Sequence, residues 1–370
     1  MRAAAAAGGT VTRRHAVFHR LRVSHVDSLT DDAVAVTFAV PDGLREEYRF
    51  QPGQHLTVRC TLDGAEVRRN YSICTSAVDG PLRVAVKRLP GGTFSRYALE
   101  TLRPGDELEV MTPTGNFTVP LDPALARHYV AVAAGSGITP VLAILSTVLA
   151  VQPGSRCTLL YGNRTTASVM FLEELADLKD RYLDRFALVH VLSREPQEVG
   201  LCHGRLDGEK LRRMLDLLVP PSTVDDWLLC GPYQMVQAAR GVLAETGVPA
   251  GRVHFELYHA EAEPPYRRSE SRMDGSAGGS EVTVVLDGRA TTFRLERDGE
   301  RILDAALRLR GDAPYACKGG VCGTCRARLM AGEVRMARNF ALAAEEVAAG
   351  VVLACQSHPA SDRVVLDFDS

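Results

Sequence analysis

The chain has 370 residues, 46% apolar and 24% charged, with 43 Lys and Arg against 45 Asp and Glu for a formal charge of −2. That length exceeds one ordinary core and predicts two or three domains, and the average composition excludes a disordered chain. Near-neutral charge gives no basic field for nucleic acid or anionic lipid, and no apolar run approaches the ~20 residues of a membrane helix.

Residues 1–14 open on alanine and glycine and read as a disordered tail, with too short an apolar stretch for a secretory signal. From 17 to 119, short alternating apolar runs stand between Pro-Asp-Gly, Asp-Gly and Pro-Gly turns, with strands predicted at 33–40, 55–60 and 82–86. This pattern predicts an antiparallel β-barrel over 15–121. At 129–134 the pattern becomes a continuous apolar strand, then Gly135-Ser136-Gly137 and a helix over 140–150. Strands at 157–161, 186–192 and 226–230 alternate with helices at 170–179, 208–218 and 233–246, which predicts a Rossmann-like parallel α/β domain over 122–260. Residues 261–280 have linker composition, rich in Pro, Ser, Gly and charge. Beyond them a hairpin around Asp287-Gly288 and a helix at 302–309 suit a small β-grasp domain over 281–370.

The strongest signal is Cys317, Cys322, Cys325 and, after a long gap, Cys355. Four residues and then two separate the first three, the plant-type ferredoxin spacing for a 2Fe-2S cluster. Gly319, Gly320, Gly323 and Thr324 are small enough to let backbone amides approach the sulfurs. Structural zinc is the alternative, but zinc sites pair two short Cys-x-x-Cys knuckles and the second is missing here. Nine cysteines in all, an odd number, suit metal binding better than disulfides and point to a reducing cytoplasm.

Arg69-Asn70-Tyr71-Ser72 closes a barrel strand and follows Pro52-Gly53-Gln54. These residues resemble the ferredoxin-NADP reductase superfamily, which binds FAD through Arg-x-Tyr-Ser. The resemblance implies that Arg69 pairs a flavin phosphate, Tyr71 lies against the isoalloxazine and Ser72 bonds near N5. Lys87 and the Gly91-Gly92-Thr93-Phe94-Ser95 loop add a cation and helix-start amides for a pyrophosphate, with Gly92 and Ser95 as contacts. The alternative leaves Tyr71 as barrel core and Arg69 as a surface charge.

Gly135, Gly137 and Thr139, in the family's Gly-x-Gly-Ile-x-Pro form, join the first parallel strand to its helix, where open α/β sheets bind nucleotide phosphates. Cys230-Gly231-Pro232 resembles the family segment that positions nicotinamide, although a buried cysteine at a strand end is commonly inert. Arg164, Ser193 and Arg194 are candidates for a 2′-phosphate and favour NADPH over NADH. Tyr258 either stacks on the flavin until nicotinamide displaces it or caps the domain. Ser72, Cys230 and Tyr258 form the expected catalytic set.

The order of domains resembles the reductases of multicomponent oxygenases. Residues 45–55, Pro314-Tyr315-Ala316-Cys317-Lys318-Gly319-Gly320-Val321-Cys322 and Cys355-Gln356-Ser357-His358-Pro359 are similar to the family of phenylacetyl-CoA epoxidase reductase subunits. Hydride brings two electrons at once and a 2Fe-2S cluster takes one, so a flavin must stand between them. The resemblance therefore implies a multidomain α+β reductase holding FAD, a 2Fe-2S cluster and NADPH, and delivering electrons to the oxygenase subunits of a di-iron epoxidase, with no membrane or nucleic-acid partner. The alternatives are a reductase for another oxygenase and a redox sensor that holds its cofactors without turnover.

Overall fold

The computed structural model describes residues 17–258, 279–342 and 344–370. The tail expected at 1–14 and residues 261–278 of the expected linker lie outside them. Six strands form the first sheet: β1 (Phe18–Thr30), β2 (Ala33–Ala39), β3 (His55–Leu62), β4 (Ala65–Ser72), β5 (Arg83–Lys87) and, after helix α1 (Thr93–Glu100), β6 (Glu107–Met111). Every pairing is antiparallel, in the order β4-β3-β6-β1-β2-β5. An antiparallel bridge from Ile73 to Val84 brings the end of β4 back onto β5 and closes the barrel. Leu21, Val36, Leu56, Val58, Val84 and Val110 fill it, each at most 2% exposed. Side chains so buried contribute about 1.5–3 kcal/mol apiece relative to exposure.

The second sheet is wholly parallel: β7 (His128–Ala134), β8 (Arg156–Asn163), β9 (Phe186–Leu192), β10 (Asp226–Cys230) and β11 (Val253–Glu256), in the order β11-β10-β7-β8-β9. The crossover helices are α2 (Ile138–Val151), α3 (Leu172–Arg181), α4 (Gly208–Leu217) and α5 (Tyr233–Glu245). Helix α2 is apolar on every side and buried nearly throughout. One hydrophobic cluster joins it to the barrel residues Ala33, Cys74, Ala85, Phe117 and Val119, so barrel and nucleotide sheet share a core. Two helix starts differ from expectation. Gly135–Gly137 forms a 3-10 turn that runs directly into α2, which therefore begins at Ile138. Helix α3 begins at Leu172 instead of 170, because Phe171 takes a left-handed φ of 59° that an α-helix cannot include.

The C-terminal unit holds β12 (Ser280–Leu286), β13 (Arg289–Leu295), α6 (Ile302–Leu309), β14 (Arg326–Ala331), β15 (Val334–Met336), α7 (Ala344–Ala348), β16 (Val351–Leu353), β17 (Ser357–Pro359) and β18 (Arg363–Asp367). Asp287 and Gly288, both at positive φ, make the two-residue turn that joins β12 to β13. The sheet runs β13-β12-β18-β14-β16, with the first and last strands β12 and β18 paired in parallel as a β-grasp fold requires, and β15 pairs with β17 apart from it. The expectation of two strands, a helix and one closing strand undercounted this unit. Its strands β15, β16 and β17 are three residues each, too short to carry a periodicity. Among the described residues no helix is long and apolar enough to cross a membrane.

Candidate active site

Strands β7 and β10 are neighbours from which the chain departs in opposite directions, toward β8 and toward β11. A crevice opens at such a switch point, at the carboxyl ends of the strands. Gly135–Gly137 follows β7, and Cys230-Gly231-Pro232 follows β10. A Cβ on Gly137 would stand 2.1 Å from the Cys230 carbonyl oxygen and 2.8 Å from the Gly231 nitrogen, so the two loops are in backbone contact. Above Gly135, at φ +53°, a Cβ would meet nothing within 4 Å, which leaves room for a ligand. The Tyr161 hydroxyl donates to the Gly135 carbonyl at 2.9 Å and pins that turn.

Strand register then gathers a polar cluster. His55 and Ser72 are partners across β3 and β4, and Cys230 and Glu256 across β10 and β11. The Ser72 hydroxyl donates to Glu256 Oε2 at 2.8 Å. Tyr258 Oη lies 3.2 Å from Ser72 Oγ and 2.8 Å from Thr139 Oγ1. His55 Nδ1 stands 3.8 Å from Glu256 Oε1, with the two side chains 6% and 14% exposed. Burial raises the Glu256 carboxyl to about 7, opposed by its hydrogen bond from Ser72, and burial lowers the His55 imidazole to about 4. At neutral pH the imidazole is thus uncharged and the carboxyl only about half ionised, as burial without a full ion pair dictates. The Cys230 thiol is pushed far up by burial and by the Glu256 charge, so it is no nucleophile.

The flavin-side wall brings together Arg69, Tyr71, Ser72, Lys87, Gly92, Ser95, Thr139 and Tyr258 around one cavity, with His55, Asn70 and Glu256. Tyr71 packs on Phe94, ring centroids 5.5 Å apart. Arg69 is exposed, and its guanidinium donates to the Arg68 carbonyl at 2.7 Å. The Ser95 hydroxyl accepts from Leu89 N and donates to the Gly92 carbonyl, both at 3.1 Å, which fixes the loop entering α1. Asn70 accepts from Thr57 Oγ1 at 2.9 Å, while its Nδ2 is buried without a partner among the described residues. An aromatic face, two cations, a helix start and a spare buried donor fit a flavin dinucleotide.

The two arginines expected at a 2′-phosphate sit side by side in backbone, since Arg194 N donates to the Arg164 carbonyl at 2.8 Å. Their side chains part. Arg164 pairs with Asp32 of the barrel at 2.7 Å, and Lys87 shares that carboxylate at 3.2 Å. Arg194 is exposed and has no ion-pair partner among the described residues. The Ser193 hydroxyl donates to the Asn163 carbonyl at 3.2 Å, and the Glu195 carboxylate accepts from Thr166 N and Oγ1 at 2.7 and 2.8 Å.

Of the four cysteines, Cys317 and Cys322 share a hydrogen bond, and the Cys317 thiol is held down by it and by the amides of Gly319, Val321 and Cys322 while that of Cys322 is raised. Lys318, Gly320 and Gly323 take positive φ, which turns this loop tightly enough for amides to face sulfur. Gly319 N reaches Cys317 Sγ at 3.3 Å. Cys325 and Cys355 are both buried in the β-grasp core, where Ala354 N donates to the Cys325 carbonyl at 3.0 Å and Gln356 Nε2 to Cys355 Sγ at 3.5 Å. Among the described residues no three His, Cys, Asp or Glu are gathered to hold a single metal ion. A 2Fe-2S cluster does not ask for that, because each iron takes its thiolates in pairs.

Models of three families match: an oxidoreductase FAD-binding domain over residues 20–119, an oxidoreductase NAD-binding domain over 131–241 and a 2Fe-2S iron-sulfur cluster binding domain over 284–360. The chain is 47% identical over 353 residues to the E component of the 1,2-phenylacetyl-CoA epoxidase of Escherichia coli, covering 95% of this chain and 98% of the relative. It is 36% identical to the ferredoxin reductase component of 3-ketosteroid-9-alpha-monooxygenase of Mycobacterium tuberculosis, covering 94% and 95%. Among solved structures, phthalate dioxygenase reductase matches with a TM-score of 0.56 at 25% identity over 95% of this chain and 98% of that one. A type IV self-sufficient cytochrome P450 monooxygenase matches with a TM-score of 0.68 at 26% identity, and this chain spans 41% of its length.

The chain belongs to the oxygenase reductases of the ferredoxin-NADP reductase superfamily. It is an NAD(P)H-dependent oxidoreductase with FAD-binding, NAD-binding and 2Fe-2S domains. Three of this reductase's site residues carry little signal in the sequence. Glu256 is visible there only as an acid two residues before Tyr258. His55 simply follows Pro52-Gly53-Gln54, and its burial against Glu256 leaves no trace in the pattern. Asn70 is the unassigned letter of Arg-x-Tyr-Ser, and its alternation with Ser72 along β4 is the available clue.

Proposed function

We propose that this reductase takes hydride from NADPH and passes single electrons to the di-iron oxygenase subunits of a phenylacetyl-CoA epoxidase complex in the cytoplasm. The observation that carries the partner is the end-to-end 47% identity to the E component of that complex. FAD supplies the passage between a two-electron donor and a one-electron acceptor. Arg69, Lys87, Gly92 and Ser95 hold its phosphates, Tyr71 supports the ring, and Ser72 with Glu256 holds a proton at the ring edge. Gly135, Gly137, Gly231 and Pro232 bind the nucleotide, with Cys230 and Thr139 at the nicotinamide and Tyr258 closing the pocket until it arrives. Cys317, Cys322, Cys325 and Cys355 ligate the cluster.

NADPH is favoured because the Arg194 guanidinium has no ion-pair partner among the described residues while the Glu195 carboxylate, the group that would instead accept from a ribose hydroxyl, is taken by Thr166. Arg164 supports the reading less, being held by Asp32. Three domains, 15–121, 122–260 and 281–370, with a linker at 261–280, carry the three stations. The test is reconstitution with the epoxidase oxygenase subunits and phenylacetyl-CoA. Epoxide formation dependent on this chain and NADPH is expected. Turnover with cytochrome c but none with those subunits would favour a different oxygenase, and no turnover of cofactor-loaded protein would leave only a redox sensor.

A further inference from the structure

We propose that Asp32, a residue of the barrel, sets how strongly this reductase separates NADPH from NADH by holding the Arg164 guanidinium away from the 2′-phosphate that Arg194 binds. This rests on the NADPH reading above and makes Asp32 a positioning residue. Arg164 and Arg194 follow the neighbouring parallel strands β8 and β9, at the carboxyl edge where open α/β sheets take nucleotides. Their loops are tied together: Ser193 N donates to the Asn163 carbonyl at 2.9 Å and Arg194 N to the Arg164 carbonyl at 2.8 Å. The backbone thus offers two adjacent arginines to one ligand group, and it is the side chain of Arg164 that leaves for the barrel.

Asp32 draws it there. Arg164 Nη2 donates to Asp32 Oδ2 at 2.7 Å, and Lys87 Nζ lies 3.2 Å from Oδ1. The carboxylate is fixed in its turn, since Thr30 Oγ1 donates to Oδ1 at 2.9 Å and Arg88 N to the Asp32 carbonyl at 2.7 Å. Among the described residues, the cleft at this place is lined by the cations Lys87, Arg88, Arg96 and Arg164, with Asp32 as the carboxylate that opposes their pull on an anion. The Asp32 side chain is 28% exposed and that of Arg164 50%, so the pair lies within reach of water and yields to a more highly charged anion. Once Lys87 turns to a flavin phosphate, the carboxylate is left to Arg164. A guanidinium held elsewhere lowers the apparent affinity of its ligand by the fraction of time it stands free. NADH carries no phosphate to draw Arg164 across, so the restraint bears on NADPH.

The test uses the FAD- and cluster-loaded protein and measures calorimetric dissociation constants for 2′,5′-ADP and 5′-AMP, which differ by the 2′-phosphate alone. Asp32→Asn should tighten 2′,5′-ADP about tenfold, the worth of a charge-assisted contact regained, and leave 5′-AMP within about twofold. KM for NADPH should fall in step while KM for NADH stays in place. In an Arg164→Ala background the gain from Asp32→Asn should vanish. Asp32→Ala repeats the measurement in case the asparagine amide still holds the guanidinium or the variant does not fold. Unchanged 2′,5′-ADP binding in both Asp32 variants, or an equal gain for the two nucleotides, would overturn the proposal. So would a gain that survives in the Arg164→Ala background, because the carboxylate would then be repelling the phosphate directly. A wild type that binds the two nucleotides alike, with the gain still appearing in Asp32→Asn, would sink the NADPH reading and support the restraint by Asp32.

Discussion

The cysteine loop and the carboxyl cluster are both polar sites in a mostly apolar interior, yet they are built by opposite means. Cys317 and Cys322 lie five residues apart, and left-handed turns at Lys318, Gly320 and Gly323 set the loop that joins them. The carboxyl cluster draws His55, Ser72, Thr139, Cys230, Glu256 and Tyr258 from two domains, and side-chain hydrogen bonds hold it. A site set by backbone loses function when a ligand is removed but keeps its shape. A site set by side chains changes its proton affinity with each substitution, because every member is part of another's solvation.

The largest effect expected from that contrast comes from Cys322→Ser. Cytochrome c reduction should fall to background, by about 10³-fold or more, while NADPH still bleaches the flavin. Loss of bleaching as well would show that the two sites are not separable. Glu256→Gln comes next and should slow flavin turnover about 10²-fold in stopped-flow, the ordinary worth of a positioned acid or base. A change under threefold would mean the carboxyl is a structural passenger.

Arg194→Ala should raise KM for NADPH about tenfold or more, as for a lost charge-assisted phosphate contact, with KM for NADH nearly unmoved. Equal rises would refute the 2′-phosphate assignment. Gly137→Ala forces a Cβ against the Cys230 carbonyl and should cost about 1–3 kcal/mol in urea unfolding, with weaker nucleotide binding. A fully stable variant would mean the two loops part easily.

The smallest effect is in pH dependence. Glu256 stands near 7 in the folded protein against 4.5 for an ordinary carboxyl, so between those values the unfolded chain binds fewer protons there and this group lowers stability as pH rises. His55 stands near 4 against 6.5, so the unfolded chain binds more protons there and stability falls as pH drops through that window. The two oppose each other from pH 4.5 to 6.5, and Glu256 acts alone up to 7. Relative to wild type, Glu256→Gln should gain stability as pH rises from 4.5 to 7. A pH-independent difference in urea midpoints would contradict the raised carboxyl.

Local spacing and periodicity sufficed for a good deal of this molecule. Strands β9 and β10 and helix α6 fall at the residues where their patterns place them, and the Asp287-Gly288 hairpin follows from two residues that tolerate positive φ. The Cys-x4-Cys-x2-Cys run named a cluster type for the same reason, since its cysteines are neighbours in sequence. What only the tertiary structure decided are the contacts between distant residues. The strand order that sets β7 beside β10, the left-handed Phe171 that trims α3, the turn of Arg164 toward Asp32, and the burial of His55 against Glu256 leave no periodic trace. Sequence records which side chain stands at each position; the dielectric and the partners that give it a proton affinity arise when the barrel and the nucleotide sheet close on a common core.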